Sequence, residues 1–595
     1  MSKEKKKQNK QLKPVYVENP YLNYVLLGVF FVFIVFFTTF KISGDDDVFW
    51  HLATGRYIIN TGHVPSTDIF GFLTEGQQWM PFEWGWDVLT YALYTAFGFT
   101  GISVLRTIVF LAVFGIIYLI LRKFKVSTVF SVTFMFILAF ASIDRLTPRP
   151  HVMSYLFFVL ILFIICRYRY FNRDNYKILY FLPLIFLIWA NMHMGIIAGG
   201  FILFLYFISE AINTYKKNSF LDSDVRPLEK KELLRLFVIL TVSALVMLVN
   251  PNFFQTYVYA YEHTKMKMLE TVNEWMSPFG NNGDGFVNIL YKILLFSGLL
   301  TLYFSLKKKD IFPAILYIGF ALYSVRAMRF TIDYVIIVSP FVFISINYLF
   351  DSLKNENLKD SLTKKPILKS ALGLFLIYVI TLIPGNKLYL EQLKYYRITG
   401  IGINSEFIPT QMFDFIKQNN IQDIGGRIFN HFGTGGYFVW SFEGKQNFID
   451  SRNLNDDIFN KYQQILSKRA GFEKKLDEYN IDYAIYLAPD LVRDTREMEN
   501  SIISYFSKSP DWKLLFWDDK SFLWVKNIPK FKDLIDKYSY DYFTPYNYIF
   551  QKQMLEKGIA ENMAKVKAEI NRKKSEDPSG VILGSFLNSM GNKIK

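Results

Sequence analysis

The chain has 595 residues, 51% hydrophobic and 18% aromatic, with a formal net charge of +15. That aromatic load, with a mean hydropathy of +0.18, points to a polytopic membrane protein carrying a soluble portion. Excess positive charge in such a chain reads as cytoplasmic Lys/Arg anchors rather than a nucleic-acid surface, and the single Cys166 excludes an internal disulfide and any multi-cysteine metal site.

Residues 1–21 form a basic tail rich in lysine. No small-residue cleavage site follows the first apolar run, so that run reads as a start helix rather than a signal peptide. Apolar runs fall at 22–40, 101–121, 126–141, 152–165, 179–190, 195–212, 234–249, 287–306, 311–325, 330–349 and 367–383. A membrane helix needs about 20 such residues, so these are about eleven spans, the shorter ones relying on polar ends or local thinning of the bilayer. With the basic tail inside, the loops 122–125, 167–177, 216–231, 307–309 and 354–365 also lie inside. All carry Lys or Arg, as the positive-inside rule requires. The opposite side then holds every histidine in the chain, together with Asp45–Asp47, Asp144, Arg145, Arg149, Asn191, Asn250, Glu262, Glu274, Arg326 and Arg329. Any one of these is unremarkable at a helix end. Together they place a polar, titratable face on one side of the bilayer only.

The first outer loop, 44–100, is the densest polar stretch between apolar spans. It opens on Asp45, Asp46 and Asp47, and three acids at the mouth of a membrane helix are costly unless paired, metal-bound or working. Residues 48–61 read as an interfacial helix stopped by Gly62 and Pro65; residues 84–97 read as a second, with Trp84, Trp86, Tyr91 and Tyr94 at headgroup depth. After Pro384 the long apolar runs stop. Residues 411–419, 472–479 and 498–507 read as helices, and 427–430, 437–440, 446–450, 483–487 and 521–525 as short strands. The expected organisation is a transmembrane domain over 22–385, an extracytoplasmic α/β domain over 386–528, and a helical or partly disordered tail over 529–595. Gly433–Gly436 reads as a tight turn rather than a phosphate loop, since it lacks the Lys and spacing of one. The aromatic tract Trp512, Phe516, Trp517, Phe522 and Trp524 reads as domain core.

These residue types suit group transfer from a lipid-linked phosphate donor. A carboxylate takes the proton of the attacking group, and arginines neutralise the departing phosphate by bidentate donation. Asp45–Asp47 supply the first; Arg56, Arg145, Arg149, Arg326 and Arg329 supply the second.

The acidic motif after the first helix, Gly62-His63-Val64-Pro65, and Pro81-Phe82-Glu83-Trp84 leading into an aromatic helix together resemble the GT-C superfamily of integral-membrane glycosyltransferases. That superfamily includes protein O-mannosyltransferases, aminoarabinose transferases of lipid A and oligosaccharyltransferases. DDDVFWHLATGR, Trp189–His193, Asn250-Pro251, Gly435-Gly436-Tyr437 and Phe448–Arg452 are similar to a bacterial group within it of undefined substrate. The resemblance implies a GT-C-like helical domain with a catalytic Asp in the first-loop motif. It also implies a polyprenyl-phosphate-linked sugar donor, an inverting reaction, a protein, lipid or glycan acceptor, and a place in the bacterial inner membrane. O-mannosyl transferases carry Asp-Glu in the acidic motif, whereas Asp stands throughout here. Asp47 is the first choice for the base and Asp45 the second, because Asp47 and His51 lie four apart on one helix face. The substrate-binding candidates are His51, Arg56, Glu83, Arg145, Arg149, His151, Asn191, His193, Glu274, Arg326 and Arg329. Asp45, Asp47, His51 and Glu274 are the candidate ligands for Mg²⁺ or Mn²⁺, set against carboxylates paired with arginine. The rival reading is a non-enzymatic protein of lipid or polysaccharide export or assembly. It predicts that the acidic triplet can be neutralised without loss.

Overall fold

The computed structural model describes residues 20–43, 47–215, 225–280, 285–352, 362–363, 365–395, 397–452 and 455–590. Asp45, Asp46 and residues 1–19 of the basic tail lie outside them. Among the described residues five helices are long and apolar enough to cross a membrane: Pro20–Thr38, Phe99–Lys123, His151–Phe171, Ile196–Tyr215 and Phe286–Lys308. A sixth span is broken, Met328–Ile337 and Ser339–Ser352 meeting at 50°. Pro340 at the joint cannot donate to the helical ladder, which accounts for the bend. Thr128–Ala141, Tyr176–Trp189, Ile311–Ser324 and Pro366–Leu382 are apolar but shorter. Lys230–Val246 carries charge in its first turns. The protein is a multi-pass membrane protein; a count of eleven crossings goes beyond these lengths, because about half the expected runs fall short of a full span.

Helical periodicity divides each span between core and lipid. Leu26, Phe30, Phe33, Ile34 and Phe37 face the bundle from the first helix. Ile289, Ile293, Phe296 and Leu299 leave an exposed apolar stripe on Phe286–Lys308, the face for lipid chains.

Two helices of the first loop lie across one end of this bundle. Asp47–Thr61 crosses Trp84–Phe97 so closely that a Cβ on Gly55 would sit 2.1 Å from the Asp87 carbonyl oxygen. Only glycine permits that approach, and it brings His51 against Asp87.

The soluble portion is built on four strands: β1 (Arg427–Asn430), β2 (Ile481–Leu487), β3 (Trp512–Trp517) and β4 (Ser521–Lys526), in the order β1-β2-β4-β3. β1 runs parallel to β2, with Asn430 opposite Ile485. The β2–β4 and β3–β4 pairs are antiparallel, with Tyr483 opposite Val525 and Trp512 opposite Lys526. Alternation along the strands makes two cores. Tyr483, Ile485, Leu523 and Val525 pack with Met412, Phe413, Phe438 and, from the first loop, Trp50, Phe70 and Trp79. Ala484, Tyr486, Phe522 and Trp524 pack with Tyr462, Phe506 and the late helices through Phe543, Val566, Ile570 and Phe586. Arg572 donates to the Leu515 carbonyl at 2.7 Å, tying those late helices to β3.

Two expected strands are not formed. Residues 437–440 belong to the helix Gly435–Ser441, and 446–450 make only an isolated parallel bridge, Asn447 with Gly71 of the first loop. The reason is local. Asn430 Nδ2 donates to the Ile449 carbonyl at 2.8 Å, and Asn430 Oδ1 accepts from the Phe448 amide at 2.8 Å. A side chain thus satisfies the backbone that a neighbouring strand would have used. Conversely, β3 forms where only an aromatic core was expected, and the aromatic tract is buried as expected.

Candidate active site

Segments 143–150, 190–195, 247–277 and 325–330 connect helices at the end of the bundle covered by the first loop. They bring most of the expected residues together. Asp47 opens its helix, and its Oδ2 lies 2.9 Å from an Arg149 guanidinium nitrogen. Trp50 Nε1 donates to Asp47 Oδ1 at 3.4 Å. Arg145 pairs with Glu274 at 2.9 Å, and Arg329 with the other Glu274 oxygen at 3.6 Å. The Arg329 guanidinium lies 4.3 Å from the centre of the Trp275 ring. Burial alone would raise the Glu274 acid, but Arg145, Arg329 and Arg149 bring it down to about 2.

Glu83 stands between two histidines. Its Oε2 is 3.7 Å from His51 Nε2, and its Oε1 is 3.6 Å from His193 Nε2. Burial, and then the charge of Asp47, push Glu83 up to about 8 against the opposing pull of Arg329 and Arg149. Behind His51, Nδ1 meets Asp87 Oδ1 at 2.5 Å, with both side chains inaccessible to solvent. Burial drives His51 well below and Asp87 well above their ordinary values, favouring the neutral form of each. Behind His193, Nδ1 accepts from the Gly195 amide at 3.0 Å and meets Ser154 Oγ at 2.7 Å. Ser154 Oγ in turn accepts from Trp189 Nε1 at 2.8 Å. Burial, with Arg329 and Arg145 nearby, lowers His193 to about 3. His151 Nε2 lies 3.0 Å from the Arg145 carbonyl oxygen, its ring 6.3 Å from that of His193.

Three expected residues serve elsewhere. Arg56 donates to the Trp440 and Val439 carbonyls at 3.2 and 3.1 Å, capping the helix Gly435–Ser441. Asn191 accepts from Trp84 Nε1 at 2.9 Å and donates to the Leu187 and Val249 carbonyls at 3.0 and 2.9 Å. Its own carbonyl would lie 2.6 Å from a Cβ on Gly85, so Asn191 fixes the turn carrying Glu83 and has no donor left for substrate. Arg326 is exposed and makes none of the ion pairs described above. Asp87 and Ser154 were not expected in the site. Asp87 follows Glu83 by four residues, one helical turn, and that spacing was the available signal.

Asp47, His51 and Glu274, the described members of the candidate metal set, do not converge. Asp47 is held by Arg149, Glu274 by two arginines and His51 by Asp87. Among the described residues no three His, Cys, Asp or Glu side chains group as a metal site. Asp47, His51 and Glu274 by themselves form no Mg²⁺ or Mn²⁺ site, and Asp45, the fourth member of the set, lies outside the described residues.

Solved structures share this architecture. The archaeal oligosaccharyltransferase AglB from Archaeoglobus fulgidus, in complex with an inhibitory peptide and a dolichol-phosphate, overlaps 86% of this chain and 75% of its own, with a TM-score of 0.54 at 12% identity. An Archaeoglobus fulgidus oligosaccharyltransferase in complex with Zn and sulfate overlaps 85% of this chain and 74% of its own, with a TM-score of 0.50 at 12% identity. The chain shares the fold of this archaeal oligosaccharyltransferase. ArnT from Cupriavidus metallidurans, bound to undecaprenyl phosphate, covers 86% of this chain and 98% of its own at 11% identity, with a TM-score of 0.45. No family model matches the sequence, and no curated protein does. In this fold the ion-paired cluster lies where the first loop closes over the bundle.

Proposed function

We propose that the protein is an inverting glycosyltransferase that moves a sugar from a polyprenyl-phosphate-linked donor to a protein, lipid or glycan acceptor. It works on the extracytoplasmic side of the bacterial inner membrane, with the amino terminus inside, about eleven crossings and the sheet domain outside. The observation that carries this reading is the Asp47–Arg149 pair at 2.9 Å, a first-loop carboxylate against a cation at the start of a span, within a GT-C fold. The AglB complex with a dolichol-phosphate supports a lipid phosphate as the donor's leaving group. Arg145, Arg149 and Arg329 are the cations for that phosphate. Glu274 and Asp47 occupy them as internal anions that an incoming phosphate displaces, and the exposed Arg326 stands three residues from Arg329. Asp47 then orients or deprotonates the acceptor hydroxyl. The sheet domain, sharing a core with the first loop, helps select the acceptor. No step is routed through a divalent cation.

The test is transfer by the purified full chain from a panel of undecaprenyl-phosphate-linked hexoses, with mass spectrometry of the glycans lost on gene deletion naming the product. Asp47→Asn is expected to abolish transfer while the protein still inserts. Undiminished transfer would remove Asp47 from the chemistry, and unchanged glycans would favour the export or assembly reading.

A further inference from the structure

The surroundings of Glu83 carry more than a binding role. Each of its oxygens faces one imidazole, and the hydrogen bonds behind those rings decide what each ring presents. At His193 the choice is settled by a donor. The Gly195 amide points at Nδ1, so Nδ1 is a lone pair and the ring proton sits on Nε2, toward Glu83. Ser154, itself receiving the Trp189 indole N–H, turns its hydroxyl proton to the same Nδ1. At His51 the partner of Nδ1 is Asp87, whose second oxygen has no hydrogen-bond partner among the described residues. An ionised carboxylate in that position would be a buried, half-satisfied charge, so Asp87 is the acid and its O–H donates to Nδ1. The His51 proton is then also on Nε2, toward Glu83. Two rings thus carry their N–H on the nitrogen nearer one carboxyl group, 3.7 and 3.6 Å from its two oxygens, so that a small closure of the site gives a carboxylate there two donors.

We propose that Glu83 is the catalytic residue that takes the acceptor's proton, and that Asp87 and Ser154 are positioning residues holding His51 and His193 in the tautomers that support it. The proposal rests on the glycosyl-transfer reading. In the step, a lone pair of the acceptor hydroxyl bonds to the anomeric carbon. The bond from that carbon to the phosphate oxygen breaks, its electron pair leaving with the polyprenyl phosphate, and the hydroxyl proton passes to the Glu83 carboxylate. No other proton moves. Asp47, released from Arg149 by the donor phosphate, orients the acceptor. The charged and titratable groups facing Glu83 are Asp47, Arg149 and Arg329, with His51, His193 and Asp87. The carboxylate that does the work is the minor form at neutral pH, since Glu83 is pushed up to about 8. Transfer therefore rises about tenfold per pH unit up to that value and levels off above it.

The experiment uses the purified full chain in nanodiscs, read in two ways. Infrared difference spectra without substrate, from about pH 6 to about pH 10, should show a carboxylic-acid band lost with a midpoint near 8 and absent in Glu83→Gln. Transfer from undecaprenyl-phosphate-linked hexose should fall more than about a hundredfold in Glu83→Gln, with polyprenyl phosphate binding unchanged. Glu83→Asp, which keeps a carboxylate, should recover part of it. Asp87→Asn still offers a neutral donor to His51 Nδ1, so it should keep the midpoint near 8 and lose less transfer than Asp87→Leu, which offers none and should lose both. Undiminished transfer in Glu83→Gln, a band at the ordinary carboxylate value, or equal damage from Asp87→Asn and Asp87→Leu would overturn the proposal. A band near 8 that Glu83→Gln removes, in a wild-type protein that transfers no hexose, supports the Glu83 cradle while overturning the glycosyl-transfer reading.

Discussion

Two clusters of Asp, Glu and Arg lie within the reach of the first loop, and they differ in how completely they are satisfied. At the seam with the sheet domain, Arg452 donates through Nε and Nη2 to Asp450 at 2.8 and 2.7 Å, and through Nη1 to Asp68 at 2.6 Å. Asp68 also accepts from the Phe70 and Gly71 amides and from Thr74, and Asn447 donates to Asp450 at 2.8 Å. The three charged side chains are at most 2% exposed. In the candidate site Asp47, Glu83 and Glu274 are 15–32% exposed, Glu83 has no hydrogen bond to its carboxyl oxygens among those described, and some pairs stand at 3.6–3.7 Å. A closed cluster holds two parts of a chain together and has nothing left to offer a ligand. An open one keeps donors and acceptors available for exchange. Identical residue types thus make a clasp in one place and a site in the other.

The largest expected effect would break the clasp. Arg452→Ala leaves Asp68 and Asp450 buried without a counter-charge, at a cost of about 3–5 kcal/mol. Thermal unfolding of the detergent-solubilised protein should show it. The pH dependence has a definite sign. Burial works against Asp450, but the charge and hydrogen bonds of Arg452 hold it below the ordinary carboxylate range. The clasp is therefore at full strength at neutral pH and is lost as pH falls below the usual carboxylate value through the depressed one. Arg452→Ala should flatten that acid limb.

Next, Asp47→Asn separates the clusters by readout. Transfer should drop about 10²–10⁴-fold, while the unfolding midpoint shifts little, because the residue is half-open and paired at one edge. Equal loss of stability in this variant and in Arg452→Ala would erase the distinction drawn here. Gly55→Ala is smaller. A Cβ 2.1 Å from the Asp87 carbonyl forces the two loop helices apart, at about 1–3 kcal/mol and with a lower transfer rate through His51. Glu274→Gln is the mildest. It removes the internal anion from Arg145 and Arg329, so polyprenyl phosphate should bind about tenfold more tightly in a titration.

Much of this was legible in the sequence, for reasons that differ by residue. Apolar runs report burial directly, so the helices of the bundle could be read from period and length. Asp47, Arg145, Arg149, Glu274 and Arg329 announced themselves by being charged at the ends of such runs. Asp87 did not. It sits inside an aromatic helix, and only the close crossing permitted by Gly55 gives it His51 as a partner. Arg56 was misleading for the opposite reason. Its partners, the carbonyls of Val439 and Trp440, lie nearly four hundred positions away, and no local pattern signals a cap supplied at that range. The helix Gly435–Ser441 reads as a strand by alternation, yet a Cβ on Gly435 would fall 2.0 Å from the Ile449 carbonyl oxygen. That contact exists only in three dimensions.

The helix Asp47–Thr61 has one further implication. It buries Trp50 and Ala53 in the inner core of the sheet domain, and Val48, Phe49 and Leu52 with Ile42 and Ile102 from the membrane-embedded portion. One short rod is thus a structural member of both halves. Severing the chain between them would not liberate a self-sufficient outer module, because its inner wall would stay behind in the bilayer. Any tilt of that module would drag Asp47 and His51 with it, making the placement of the acidic side chains a mechanical readout of what the outer module is holding.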